Sequence, residues 1–110
     1  MYSAGILFRC VTEDTTYYLL GKDKMEQWSD FGGGSSKYDK TVIDTAAREA
    51  FEETCRIFDK DDLKHLCRGS DFFQGKTYKG NPYYMFICNI DHDEKLLRKF
   101  FLNVNRENRA

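Results

Sequence analysis

The stretch Gly34-Ser-Ser-Lys-Tyr-Asp-Lys40-Thr41-Val-Ile-Asp44-Thr-Ala-Ala-Arg48-Glu49-Ala50-Phe51-Glu52-Glu53-Thr54-Cys55-Arg56 decides how this chain is read. Thr41 and Asp44 have the spacing of a capping box, a hydroxyl at a helix start and a carboxylate three residues on. The spacing predicts a helix from Thr41 to about Arg56. At about 100° per residue, Ile43, Ala46, Ala47, Ala50, Phe51 and Thr54 fall on one face. Glu49, Glu52, Glu53 and Arg56 fall on the other.

Glu49, Glu52 and Glu53 stand at i, i+3 and i+4, within about a third of the helix circumference. Carboxylates that close repel one another, and a divalent cation is the natural offset. Mg²⁺ (or Mn²⁺) takes hard oxygen ligands, usually one or two carboxylates completed by water and substrate phosphate. Arg48, four residues before Glu52, has the reach to hold that carboxylate by a planar, charge-assisted contact. An acidic run of this kind is also common as a plain solvated helix face. What separates the two readings is context: the triplet Gly32, Gly33 and Gly34 just upstream, and the apolar face opposite the acids.

Outward from the helix, Ser3–Cys10 and Tyr17–Leu20 read as paired strands joined by a polar turn over Thr12–Thr16. The glycine triplet permits unusual backbone conformations or a close approach. Asp59–Leu66 reads as a loop with a short helical turn. Two more strands, about Ser70–Tyr78 and Pro82–Ile90, are joined at Lys79-Gly80-Asn81. The second is apolar on both faces and is expected at the centre of a sheet. His92–Val104 mixes charges with Leu96, Leu97, Phe100 and Phe101 and is read as a helix.

A chain of 110 residues has room for one core, and the expectation is a single domain over residues 1–110. Aromatics make up 15% of it, so large rings should build that core. A net charge of −1 argues against a general nucleic-acid or acidic-membrane partner, though a local basic patch is compatible with it. No apolar run is long enough for a membrane span, and the N-terminus lacks the pattern of a signal peptide. Cys10, Cys55, Cys67 and Cys88 are scattered without a Cys-x-x-Cys pair, which fits buried free thiols in a reducing cytosol better than zinc ligation. The expected location is cytoplasmic.

The central stretch resembles the signature of the Nudix hydrolases: Gly, five residues, Glu, seven residues, then Arg-Glu-aliphatic-x-Glu-Glu-x-Gly-aliphatic. Gly34, Arg48, Glu49, Glu52 and Glu53 match at the correct spacing, and Ala50 takes the aliphatic position. The flanking Ser-Ala-Gly-Ile-Leu-Phe, Tyr-Tyr-Leu-Leu-Gly and Trp-Ser-Asp-Phe-Gly-Gly-Gly segments also look like the family. The likeness covers roughly residues 3–58 well and the later strands in outline. Lys40 stands where the family has its first glutamate, Cys55 where it has the final glycine, and Arg56 where it has an aliphatic residue.

The resemblance implies an α+β fold, a mixed β-sheet sandwiched between helices. Because the family's domains usually run longer, the C-terminal strand and helix are expected to be lacking. It also implies a metal-dependent pyrophosphohydrolase that splits a nucleoside diphosphate linked to another moiety. Glu49, Glu52 and Glu53 would be metal ligands and catalytic groups, with Arg48 orienting them. Gly33, Gly34 and Lys40 would meet the substrate, although Lys40 by itself reads better as a solvated loop lysine. A general base beyond the box would have to come from Asp91, Asp93, Glu94 or Glu107, of which Asp91 and Asp93 read better as caps of the following helix. Nucleotide sugars, dinucleoside polyphosphates, oxidised nucleotides and capped RNA stay open as substrates. Trp28, Tyr38, Phe72, Tyr83 and Tyr84 are available either to stack on a base or to fill the core. An unfinished sheet would favour an oligomer. The alternative is a Nudix-fold nucleotide-binding module without turnover, motivated by Lys40 and Cys55, and the remaining possibility is an acidic helix that binds no metal.

Overall fold

The capping box forms as its spacing demands. In the computed structural model, which describes residues 1–22, 28–54 and 58–91, the Thr41 hydroxyl accepts from Asp44 N at 3.1 Å and the Asp44 carboxylate accepts from Thr41 N at 3.2 Å. Helix α1 (Val42–Glu53) follows, with Thr45, Ala46, Ala47 and Ala50 buried along one face. Small residues on that face let the helix lie close against the sheet. At its far end the buried Thr54 hydroxyl donates to the Ala50 carbonyl at 2.6 Å. Cys55 and Arg56 lie outside the described residues.

The sheet is mixed. Strand β1 (Ser3–Val11) is its axis. One edge of β1 pairs antiparallel with β2 (Thr16–Leu19) over its second half and with β5 (Phe31–Gly34) over its first. The other edge pairs parallel with β7 (Pro82–Asn89), which in turn pairs antiparallel with β6 (Asp71–Lys76). The expected central position of the second late strand is therefore what the topology shows. A small ribbon, β3 (Gly21–Lys22) with β4 (Trp28–Ser29), stands apart. Gly80, with φ of 87°, turns the β6–β7 connection, in a conformation that strongly favours glycine.

Alternation along β1 divides its side chains. Ala4, Ile6, Phe8 and Cys10 are buried, and the first three pack with Phe31, Phe86 and Cys88 against the alanines of α1. Leu63 and Cys67 belong to the same cluster. They come from a segment expected to be a loop with one helical turn, which is instead a nine-residue helix, α2 (Lys60–Arg68). Its start is fixed by Asp59, whose carboxylate accepts from Asp61 N and Asp62 N at 2.8 and 3.3 Å. Leu63 and Cys67, one turn apart, dock it beneath β7. The dense charge of Asp59–Lys64 conceals this short apolar stripe in the sequence.

Cys10, Cys67 and Cys88 are buried free thiols, as expected, with the Cys67 and Cys88 sulfurs 4.0 Å apart. Among the described residues no helix is long and apolar enough to cross a membrane. The helix expected over 92–104, with Asp93, Glu94 and Glu107, lies outside the described residues.

Candidate functional site

Arg48 is the hub of the acidic face. Its Nε donates to Asp39 Oδ1 at 3.1 Å and its Nη2 to Asp39 Oδ2 at 2.9 Å, a two-pronged ion pair. Nη2 also reaches the Gly34 carbonyl at 2.9 Å, and Nη1 donates to Glu49 Oε1 at 2.9 Å. Glu52, the partner expected from the i, i+4 spacing, is 3.7 Å away and half exposed. The guanidinium therefore holds Glu49, and is itself held by Asp39 more than by Glu52. The Asp39 side chain is 6% exposed and also accepts from Ser36 N and the Thr45 hydroxyl. The Arg48 guanidinium, with these two further donors, pulls the Asp39 carboxyl down to about 2. Asp39 in turn pushes the Arg48 pKa further up.

This pairing changes what the lysine at position 40 means. The carboxylate missing from position 40 is supplied one residue earlier, by Asp39, while Lys40 is exposed and its backbone N–H donates to Asp44. Matching position by position passes over Asp39. An acid adjacent to a vacant acidic position was the signal that could have found it.

The glycine triplet is used for approach rather than for conformation. Among the described glycines only Gly80 has positive φ. A Cβ on Gly33 would stand 2.6 Å from the Glu49 carboxyl carbon, so the carboxylate lies directly on the strand backbone. On the opposite face of the sheet, the Tyr83 hydroxyl sits over Gly5 and Gly32 and donates to Asp30. Gly34 has open space where its side chain would be.

Asp30 brings another carboxylate to the acidic end of α1. Burial raises its pKa, against the Tyr83 hydrogen bond. Burial also raises that of Tyr83, which the contact with Asp30 reinforces, so the phenol stays a donor. Glu53 as a residue keeps solvent contact, but its carboxyl is crowded by protein. That desolvation, followed by the charges of Glu49, Asp30 and Glu52, pushes it up to about 8, with the Gly32 N–H acting in the other direction. Asp30 and Tyr83 are 53 residues apart and meet only through the sheet, so nothing local in the sequence pairs them.

Of the sequence-derived site residues, Arg48 and Glu49 are joined directly, Gly33 floors Glu49, and Gly34 accepts from Arg48. Glu53 turns toward Gly32, Glu52 points to solvent, and Lys40 lies to one side. Among the described residues no three His, Cys, Asp or Glu side chains converge at metal-ligand spacing. The donor set is nevertheless all carboxylate, the chemistry that a hard divalent ion takes. Of the aromatics, Tyr84 packs edge-on to Tyr2 and stacks on Phe72, Tyr83 is bound to Asp30, and Tyr38 is largely exposed.

No protein-family model and no curated protein sequence matches the chain. Solved structures do. An Ap4A hydrolase of C. elegans in a binary complex superposes with a TM-score of 0.64 at 12% identity, over 84% of this chain and 67% of that one. A second structure, C. elegans Ap4A hydrolase, gives 0.60 at 13%, over 84% and 70%. RenU, a Nudix hydrolase from M. smegmatis, gives 0.56 at 15%, over 97% and 83%. The chain has the α+β fold of the Nudix hydrolases.

Proposed function

We propose that the chain is a pyrophosphohydrolase acting on a nucleoside diphosphate linked to a second group, with Glu49, Glu52 and Glu53 holding a divalent ion, Mg²⁺ or Mn²⁺. The observation that carries this reading is the placement of Glu49, held by Arg48 against Gly33, at the same helix end as Glu53, whose carboxyl is desolvated by burial and further crowded by Glu49, Asp30 and Glu52. Such repulsion persists in a fold only where the rest of the structure imposes it, and a cation relieves it. The likeness in fold to hydrolases of phosphate anhydrides supports the same reading.

When bound, a divalent ion supplies neutralisation of charge on the phosphate oxygens. The chain's own groups have separate tasks. Asp39 fixes Arg48, and Arg48 fixes Glu49 against Gly33. Gly34, open on its side-chain face, leaves room for phosphate to approach the backbone. Burial, followed by the charges of Glu49, Asp30 and Glu52, raises the pKa of Glu53, and a cation that offsets those charges would favour its carboxylate form. Two of the similar structures are Ap4A hydrolases by name, which makes dinucleoside polyphosphates the first substrates to test. Nucleotide sugars, oxidised nucleotides and capped RNA complete the set.

A second reading, a nucleotide-binding module without turnover, is favoured by Lys40 in place of an acid and by the outward position of Glu52. A hydrolysis screen over these substrates with Mg²⁺ and Mn²⁺ separates the two. The enzyme reading requires a cleaved product and a fall of orders of magnitude in Glu53→Gln. A variant keeping more than about a tenth of the rate, equivalent to about 1.4 kcal/mol of barrier, removes Glu53 from the mechanism. Nucleotide binding with no product from any substrate establishes the module instead.

A further inference from the structure

Beside the acidic face, on the other side of Arg48, lies an open cavity of about 450 Å³. The loop before α1 contributes Tyr38 and Lys40, α1 contributes Asp44 and Arg48, and α2 contributes Lys60 and Lys64. Each helix donates a pair at i, i+4, so both pairs face the same space. Including Asp39, which also lines it, the cavity collects four cationic side chains and two carboxylates. The whole chain carries a net charge of −1, so this is a local reversal of sign.

Both carboxylates are already engaged. Asp39 takes Arg48, the Thr45 hydroxyl and Ser36 N. Asp44 takes Lys40 N and Thr41 N in the helix cap, and Lys64 Nζ at 3.3 Å. Lys40 and Lys60 have no carboxylate partner among the described residues, and the Lys60 ammonium rests over the Phe51 ring at 5.4 Å. The loop and α2 thus bring two cations without a carboxylate partner among the described residues, Lys40 and Lys60, beside the paired Lys64 and Arg48. Lysine ammoniums bind phosphate as mobile point charges without a fixed approach angle, which suits an open cavity of this kind. The volume exceeds the needs of a single phosphate group, and Arg48 forms a wall common to this cavity and the acidic face.

We infer that the Lys40–Lys60–Lys64 cavity binds phosphate, and that it receives the part of a polyphosphate chain lying beyond the bond to be split. The second half of that statement rests on the hydrolase reading. The first does not.

The probe for the first half is inorganic tripolyphosphate with a chelator present, so that no divalent ion takes part. Tripolyphosphate should bind the wild-type protein by calorimetry and bind more weakly as salt rises. Lys40→Gln combined with Lys60→Gln should weaken it at least tenfold, and Lys60→Arg should retain it. Lys76→Gln with Lys79→Gln, on the distant β6–β7 hairpin, should leave it unchanged. Absence of binding at millimolar tripolyphosphate, or an equal loss in the hairpin variant, overturns the site.

For the second half, the Lys40→Gln, Lys60→Gln protein should show a raised KM for substrates with four phosphates and an unaltered KM for those with two. An unaltered KM for both, with tripolyphosphate binding lost, overturns the polyphosphate placement and leaves a site for free phosphate. If no substrate is turned over by any of these proteins, the hydrolase reading fails, and the chelator experiment still decides the anion site.

Discussion

Asp39 shows how one side chain can restore a pattern that the sequence breaks. Lys40 occupies the acidic position of the signature, yet the arginine eight residues later is paired, because the preceding residue turns its carboxylate inward. Burying such a pair incompletely compensated costs several kcal/mol, and here two further donors complete it. The consequence has a defined sign. The folded pKa of Asp39 is near 2, below its unfolded value of 3.8. Its contribution is therefore fully present above pH 3.8 and is lost as pH falls toward 2. Asp39→Asn should lower stability by about 1–3 kcal/mol near neutral pH, and the difference from wild type should narrow through that acid window. Urea unfolding at stepped pH measures it. A difference that stays constant down to pH 2 would assign the effect to hydrogen bonding alone.

Among the elements, α1 was legible in the sequence because two signals coincided, the Thr41–Asp44 box and the alanine-rich stripe. Strands β1, β2, β6 and β7 were legible from their apolar runs and from the Lys79-Gly80-Asn81 turn, whereas β5 was not, because three of its four residues are glycines with no side chain to show a pattern. Helix α2 was not, because five of its first six residues, counting the cap, are charged and its stripe is only Leu63 and Cys67 with Leu66 half-buried. Contacts that depend on register, such as Tyr83 with Asp30, have no local trace at all. The glycines invert the expectation drawn from the signature, which rests on Gly34. A Cβ on Gly32 would stand 2.8 Å from the Ala4 carbonyl oxygen and from the Gly5 Cα, both backbone atoms that cannot yield without moving β1, whereas Gly34 has nothing nearby. Gly32→Ala should lower the melting temperature by several degrees, and Gly34→Ala should leave it within a degree or so. Equal effects in thermal melts would show that packing at the β1–β5 seam does not set the requirement for glycine.

For the molecule as a whole, the acidic cluster predicts an unusual stability profile. The Glu53 carboxyl ionises near 4.5 in the unfolded chain and near 8 in the folded one. Between those values the unfolded state has already released the proton, so stability should fall as pH rises from about 4.5 to 8. Glu53→Gln should flatten this slope and make the metal-free protein more stable than wild type at pH 8. Mg²⁺ that binds only the folded form should offset the loss. At a hundredfold excess over its dissociation constant the gain is about 2.7 kcal/mol, several degrees for a domain this small. Melting curves across pH, with and without Mg²⁺, test this directly. A wild-type profile that ignores both pH and Mg²⁺ would return the acids to the role of a solvated face.

The parallel pairing of β1 with β7 also governs how the chain reaches this fold. Its register joins Ser3 to Tyr83 and Arg9 to Asn89, so every rung of the ladder closes a loop of 80 residues. Hairpin contacts between β1 and β2 close far shorter loops, with Val11 meeting Thr16. Loop closure must be met before such distant contacts return any energy, and folds dominated by them form slowly. On a translating ribosome, β1 emerges several seconds before β7 exists. Through that interval Ile6 and Phe8 belong to a strand with one edge unpaired. Asp30 waits for Tyr83 across 53 residues, so the contact beside the acidic site is made only once β7 has been added to the sheet.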